Sequence, residues 1–380
     1  MMARLGDIAS YINGYAFKPD DWSDEGRPII RIQDLTGNSY QANRFNGICP
    51  EKYNVTDGDI LISWSASLGI FVWHGEDAVL NQHIFKVVFD KAEVDRIFFI
   101  YQVENILENA ANETHGATMK HLTKPIFDAL PFTLPTIEEQ QRIARKLDSV
   151  TQAISLRKQQ LTKLDELVKS RFIELFGDPV NNSKGLPSFS MTEVCEIIDG
   201  DRGKSYPKQD EFVNNGYCLF LNAKNVTSSG FSFENCMYIT KEKDNALRKG
   251  KLRRGDVVLT TRGTLGNLAF YDSSVPFNHV RINSGMVILR MKKEIVSEVF
   301  FIEQFKLQLK DIKGKIASGS AQPQLPISTM NNIRIFLPPM TQQEQFAAFV
   351  EQVDKSKLAV KQSLEKLETL KKSLMQEYFG

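Results

Sequence analysis

Two stretches of this chain set hydroxyl, basic and planar side chains at the mouth of an apolar run. Gly58-Asp59-Ile60-Leu61-Ile62-Ser63-Trp64-Ser65-Ala66-Ser67-Leu68-Gly69 is matched 197 residues later by Gly255-Asp256-Val257-Val258-Leu259-Thr260-Thr261-Arg262-Gly263-Thr264-Leu265-Gly266. Each reads as a strand that delivers a tight loop. The hydroxyls of Ser63, Ser65, Ser67, Thr260, Thr261 and Thr264 suit phosphate oxygens, and Trp64 supplies a flat face. Arg262 carries the fork that reads guanine O6 and N7 or clamps a phosphate. Asn81-Gln82-His83 follows the first loop, and Asn278-His279-Val280-Arg281 follows the second. Their amides can present a donor and an acceptor together to adenine N6 and N7. Taken singly, each feature is more often an ordinary hairpin, a turn asparagine or a core histidine. Recurrence in both places favours a binding role.

No catalytic kit accompanies these loops. Gly203-Lys204-Ser205 imitates the end of a phosphate-binding loop, but Ile198 stands where the leading glycine belongs and Tyr206-Pro207 follows where a helix should begin. The chain has no H-E-x-x-H, no G-x-S-x-G, no calcium-loop spacing and no dinucleotide fingerprint. Cys49, Cys195, Cys218 and Cys236 are far apart and form no C-x-x-C pair, so no metal site is expected. The expectation is a chain that is not an enzyme by itself and binds no cofactor.

The elements that must position the loops are short and alternate in kind. Runs rich in Val, Ile and Phe at 28–32, 59–63, 84–89, 217–221, 256–261 and 285–290, bounded by Gly, Asp and Asn, read as strands. Residues 95–108 and 296–312 read as helices. Each half is expected to be a small α+β domain with a curled sheet.

Between and after these halves lie two long helical stretches that are copies of each other. KQQLTKLDELVKSRFIELFG at 158–177 returns as KQSLEKLETLKKSLMQEYFG at 361–380, with 11 of 20 positions identical. The same offset relates 116–135 to 319–338, so the whole plan is a repeat of globular unit and long helix. Apolar positions run Ile143, Leu147, Val150, Ile154, Leu161, Leu164, Val168 and Leu175 in steps of four and three. The counterpart stripe is Phe346, Val350 or Phe349, Val353, Val360, Leu364, Leu367 and Leu374. A period near 3.5 keeps a narrow seam facing a partner helix, although Arg157 and Lys357 interrupt it. Thr136 and Thr341 are placed to cap the two starts, with Glu138, Glu139 and Glu344 near the positive helix ends. A helix over 139–176 would be ~57 Å long, too long for one small domain to bury. The expected fold class is therefore α+β, with two repeated α/β domains separated by two long antiparallel helices in an intramolecular coiled coil with pseudo-two-fold symmetry. A plain tether or a dimerisation helix is the simpler alternative. The expected divisions are 1–137, 138–180, 181–340 and 341–380, with Ile143, Leu147, Leu161, Leu164, Leu364 and Leu367 as the spacer or partner-binding seam.

Composition sets limits on these readings. A chain of 380 residues with 42% hydrophobic content can supply two cores. It has no run of 18 apolar residues and no basic-then-apolar start, so a cytoplasmic protein without a membrane partner is expected. The formal net charge is +1, although five of seven residues in RKGKLRR at 248–254 are basic. A chain this neutral is expected to bind nucleic acid weakly when alone.

With loops, repeat and helices in this order, the chain resembles the specificity subunits of type I restriction–modification systems. The landmarks are Ile29-Ile30-Arg31-Ile32-Gln33-Asp34-Leu35, the Gly-Asp strand and loop in each half, and Gly319-Ser320-Ala321-Gln322-Pro323-Gln324-Leu325. Leu-Pro followed by Glu-Gln within 134–140 and 337–345 completes the set. The resemblance implies that each globular unit is a target-recognition domain and that the long helices are spacers on which methylation subunits dock. It further implies double-stranded DNA with a bipartite target, two methylation (M) subunits and restriction/motor (R) subunits as partners. S-adenosylmethionine for adenine N6 transfer, ATP and Mg2+ would belong to those partners. The candidate DNA contacts are Arg31, Gln33, Ser63, Trp64, Ser65, Ser67, Asn81, Gln82, His83 and Lys120 in the first half. In the second they are Lys204, Lys224, Thr260, Thr261, Arg262, Thr264, Asn278, His279, Arg281 and Gln322. The first half departs from the family pattern at Ser63-Trp64-Ser65 and at Ala117-Thr118-Met119-Lys120. The rival reading is a repeat-built adaptor that binds proteins and reads no bases.

Overall fold

The computed structural model describes residues 2–38, 43–113, 122–317 and 324–380. The chain forms two compact units, Met1–Lys158 with Gln362–Gly380, and Gln159–Lys361.

In the first unit Ser10–Asn13 (β1), Arg27–Ile30 (β2), Ile60–Ser63 (β3), Gly69–Val72 (β4), Ala78–Leu80 (β5) and Ile84–Val88 (β6) precede the helix Arg96–Glu113 (α1). An antiparallel sheet has the order β1-β6-β3-β4, and β2 pairs with β5 in parallel in a second sheet. Every residue of β3 is buried because both faces of its sheet are covered. Ile60 and Ile62 join a core with Phe98 and Phe99 of α1, while Leu61 joins Ile30 and Leu80 of the second sheet. Strand side chains alternate between faces, so one apolar run serves as a wall between two cores. The long helix Ile137–Phe176 (α2) follows.

The second unit repeats this plan. Cys195–Asp199 (β7), Cys218–Leu221 (β8), Asp256–Thr260 (β9), Leu268–Tyr271 (β10), Val280–Ile282 (β11) and Met286–Met291 (β12) precede Glu298–Ala317 (α3) and the long helix Met340–Phe379 (α4). The sheet order is β7-β12-β9-β10, and β8 pairs with β11 in parallel. Val257 and Leu259 meet Phe300 and Phe301 of α3, whereas Val258 meets Leu219 and Leu221. The Gly-Asp steps ahead of β3 and β9 are structural. Asp59 accepts from the Thr56 amide at 2.8 Å and pairs with Lys86 at 2.8 Å. Asp256 accepts from the Arg253 amide at 2.6 Å and holds two guanidinium nitrogens of Arg290, each at 2.8 Å.

Each long helix contributes to both units. Within the first, Ile143, Ala144 and Leu147 of α2 share a core with Leu374, Met375, Tyr378 and Phe379 of α4, and Lys146 donates to the Tyr378 hydroxyl at 3.2 Å. Within the second, Val168 and Phe172 near the end of α2 meet Phe346, Val350 and Val353 near the start of α4. The helices are therefore antiparallel in each unit. Arg157, which breaks the apolar stripe, donates to Ser363 Oγ at 3.2 Å; Lys357 reaches Asp165 at 2.7 Å. The seam positions Leu161, Leu164, Leu364 and Leu367 are half-buried.

Two local expectations give way. Leu175 is 38% exposed, and Phe172 and Phe176 are buried in its place, packed on Phe346 and Phe300 with centroids 5.4 and 5.0 Å apart. Near its end α2 serves a globular core on one broad face and leaves the narrow 3.5-residue seam. Thr136 caps α2 by accepting from the Glu139 amide at 3.4 Å, but Thr341 lies inside α4, whose Gln342 amide bonds the Pro339 carbonyl instead. What fixes both helix starts is a buried glutamine. Gln140 accepts from the Asp95 amide and donates to the Pro135 carbonyl, and Gln343 does the same with Ser297 and Pro338.

Candidate nucleic-acid interface

The β3–β4 and β9–β10 hairpin loops share one framework. Ser63 Oγ donates back to the Ser65 carbonyl at 3.2 Å, and Thr260 Oγ1 to the Thr264 carbonyl. The matched residues Ala66 and Gly263 are both left-handed, with φ of 58° and 72°. The chain returns to each loop at the same point: the Leu122 amide donates to the Trp64 carbonyl and the Leu325 amide to the Thr261 carbonyl, both at 3.0 Å. A second loop supports the first, since the Trp64 amide donates to the His83 carbonyl and the Thr261 amide to the Gly285 carbonyl.

That last pair corrects the sequence matching. Ile30 lies opposite Leu80 in the parallel pair of the first unit, and Leu221 opposite Ile282 in the second. Asn81-Gln82-His83 therefore corresponds to Asn283-Ser284-Gly285, not to Asn278-His279-Val280-Arg281. A glycine crosses each asparagine closely: a Cβ on Gly14 would lie 2.0 Å from the Asn81 oxygen, and one on Gly200 2.1 Å from the Asn283 oxygen. Asn278 and His279 sit at the other end of β11. His279 stacks on Tyr217 with centroids 4.1 Å apart, beside Lys241 and Lys251.

Burial sorts the remaining candidates. Ser67, Lys204, Lys224, Arg262, Thr264 and Asn278 are exposed. Arg31, Gln33, Trp64, Asn81, Gln82, His83 and His279 are half-buried. Trp64 is partly spent on packing, stacked on Phe85 at 5.7 Å with its indole nitrogen donating to Asn13. Arg31 opens the short helix Ile32–Leu35 and pairs with Asp34 at 3.3 Å; Asn222 opens Ala223–Asn225 in the same way. Lys224 thus stands where the first unit has Gln33. Ser63, Ser65, Thr260, Thr261 and Arg281 are buried, and the structure removes their side chains from the exposed set. The hydroxyls of Ser63, Thr260 and Thr261 are spent on loop carbonyls. Arg281 is spent on Asp244 and on the carbonyls of Lys249, Asp244 and Leu247. Lys120 and Gln322 lie outside the described residues.

Much of the basic run at 248–254 is also structural. Arg248 approaches Asp201 at 3.8 Å, Lys251 pairs with Asp244, and Arg254 donates to the carbonyls of Asp272, Val275 and Phe277. Burial works to raise the Asp201 and Asp244 carboxyls, but hydrogen bonds win and hold both below the usual carboxylate range: backbone amides at Asp201, Lys251 and Arg281 at Asp244. By contrast, Arg262, Lys224 and Lys313 have no acidic partner among the described residues.

Residues that the sequence reading missed complete the surface. Lys224 and Thr264 line a groove of about 570 Å³ that also takes Gly263, Asn267 and Lys313. Arg202 donates to the Ser284 carbonyl at 3.2 Å, beside Asn283. Lys313 comes from the end of α3 and Arg202 from the loop after β7, so neither carries a local signal. The arrangement offers exposed cations and hydroxyls on a rigid backbone frame, which suits an anionic polymer. Among the described residues there is no cluster of His, Cys, Asp and Glu able to hold a metal, and no helix long and apolar enough to cross a membrane.

Known proteins share this plan. The sequence model of the type I restriction modification DNA specificity domain matches residues 1–166 and 184–370. The type I restriction enzyme EcoBI specificity subunit of Escherichia coli is 22% identical over 99% of this chain and 84% of its own length. The MjaVIII specificity subunit of Methanocaldococcus jannaschii is 24% identical over 98% and 90%. Among solved structures, the S subunit of a type I restriction-modification system from M. genitalium superposes with a TM-score of 0.58 at 16% identity, over 100% of this chain and 96% of that one.

Proposed function

Because the chain belongs to the type I restriction–modification DNA specificity family, whose members recognise DNA within a type I complex, we propose that it reads a bipartite target, one part with each unit. The observation that carries this reading is the loop frame built twice, with Leu122 on Trp64 and Leu325 on Thr261. A protein that reads two separate parts of a duplex needs two such frames, and their different exposed side chains suit different half-sites. On this reading the antiparallel α2 and α4 act as the spacer. Each helix of 40 residues is ~60 Å long, and major-groove faces recur each ~34 Å along one side of B-DNA. That length is enough to set an unread gap between two half-sites.

The chain supplies sequence choice and no chemistry. Methylation subunits on the helices would bring S-adenosylmethionine for transfer to adenine N6, and motor subunits would bring ATP and Mg2+ for restriction. Holding the duplex on both sides of the target helps the partner draw the adenine out of the stack. With a net charge of +1, the chain alone neutralises few phosphates, so strong binding belongs to the assembly. The adaptor reading gives no role to Arg262, Lys224 and Lys313, which have no acidic partner among the described residues. Mapping of methylated adenines in the genome of cells carrying this chain and its methylation subunits tests the proposal. Two short sequences at a constant gap are expected; a single continuous motif would overturn the bipartite reading.

A further inference from the structure

We infer that the groove of Lys224, Thr264 and Lys313 clamps one backbone phosphate of the duplex, a contact for which the first unit lacks the lysines at the matched positions. This rests on the DNA-reading role proposed above and assigns a division of labour within it. The groove lies beside the β9–β10 loop and has no carboxylate in its lining. Lysine donates from a compact ammonium and has no acceptor, so two lysines and a hydroxyl match phosphate oxygens; the other all-acceptor partner, the O6 and N7 edge of guanine, is the outcome that duplexes altered at single base pairs would reveal.

The delivery of Lys313 is built into the loop. A Cβ on Gly266 would fall 2.2 Å from Lys313 Cε, so the lysine stem crosses the loop through the space that the glycine leaves. Gly266 is left-handed, with φ of 78°, and its amide donates to the Thr260 carbonyl at 2.8 Å. The same backbone that shapes the loop thus admits the ammonium. Lys224, also in the lining, follows Asn222, whose side chain accepts from the Lys224 amide at 2.9 Å. Thr227 spends its hydroxyl on the Gly230 carbonyl and Asn267 its amide on the Val226 carbonyl, which leaves Thr264 and Ser228 as the exposed hydroxyls of the groove.

The first unit lacks this chemistry at the matched positions. Gln33 stands for Lys224 and Ser67 for Thr264. Counting from Asp95 and Ser297, the residues held by Gln140 and Gln343, Ala111 stands for Lys313.

The test measures binding by the complex of this chain with its methylation subunits, at several salt concentrations. Its probes are a cognate duplex and duplexes altered at single base pairs of the target. Lys313→Ala should lower the slope of log K against log salt by about 0.9, the share of one neutralised phosphate, and weaken all duplexes by the same factor. Lys313→Arg should restore the slope. Lys224→Gln, at an exposed position in the same lining, should lower it as Lys313→Ala does. A slope unchanged in both variants, or a loss confined to one base pair, would overturn the clamp and leave the DNA-reading role standing. Failure of the unaltered complex to prefer the cognate duplex would overturn that role itself.

Discussion

Arg281 and Asp244 are sealed together inside the second unit, 37 residues apart in the chain. Asp244 is fully buried and Arg281 is 5% exposed. Removing the arginine leaves the buried carboxylate with Lys251 as its remaining cation and takes the donor from three backbone carbonyls, so Arg281→Ala should destabilise the second unit by about 1–3 kcal/mol in denaturant unfolding. Molecules that remain folded should keep their base preference. A changed preference at unaltered stability would return Arg281 to the DNA surface.

The same pair gives acid sensitivity a sign. Asp244 titrates below the usual carboxylate range in the folded chain, so its stabilisation is complete above the unfolded value of about 3.9 and is lost as pH falls through the folded value. Asp201, held low by backbone amides, acts in the same direction. Melting temperature should therefore drop more steeply below about pH 4 than above it. Asp244→Asn should lower stability at neutral pH and flatten that drop; an unchanged acid slope would show that the pair contributes nothing to it.

Arg262 is exposed in the β9–β10 loop, without an acidic partner among the described residues. Its fork suits guanine O6 and N7. Arg262→Ala should cost roughly 1–3 kcal/mol on the cognate duplex and relax preference at one position, with the salt slope unchanged. Binding to single-position target variants at two salt concentrations reads both quantities. Equal weakening on every duplex with a lower slope would make Arg262 a phosphate contact.

Deletion of one heptad from both α2 and α4 keeps the seam in phase while shortening the pair. Methylation mapping should then report the same two half-sites with a different gap. Altered half-sites at an unaltered gap would remove the helices from the role of spacer.

Patterns that repeat within a few residues were legible in the sequence. The strands around 59–63 and 256–261 stand within a residue of β3 and β9, and the expected helix over 139–176 is the helix Ile137–Phe176. The correspondence of the two hairpin loops was legible as well, because the Gly-Asp turn, apolar run and glycine recur in one order. The match of Asn278 to Asn81 failed because the residue that follows a parallel pair is set by its register, Ile30 on Leu80 and Leu221 on Ile282, which no short motif encodes.

By itself, the sequence determined the long helices, the strands with the strongest apolar runs, the duplication and the family. Each follows from periodicity or from motifs that tolerate drift at their edges, whereas short strands such as Ser10–Asn13 and Gly69–Val72 carried no signal of their own. The tertiary structure alone decided which polar groups remain free. Arg262 and Arg281 look alike as basic residues near repeated loops, yet one is exposed and the other is closed on Asp244. Lys313 reaches its groove from α3, far along the chain from Lys224, through the gap left by Gly266. The physical reason is that an element's type depends on neighbours within a turn or a strand. The availability of a charge depends on whichever distant group folding brings within hydrogen-bond reach.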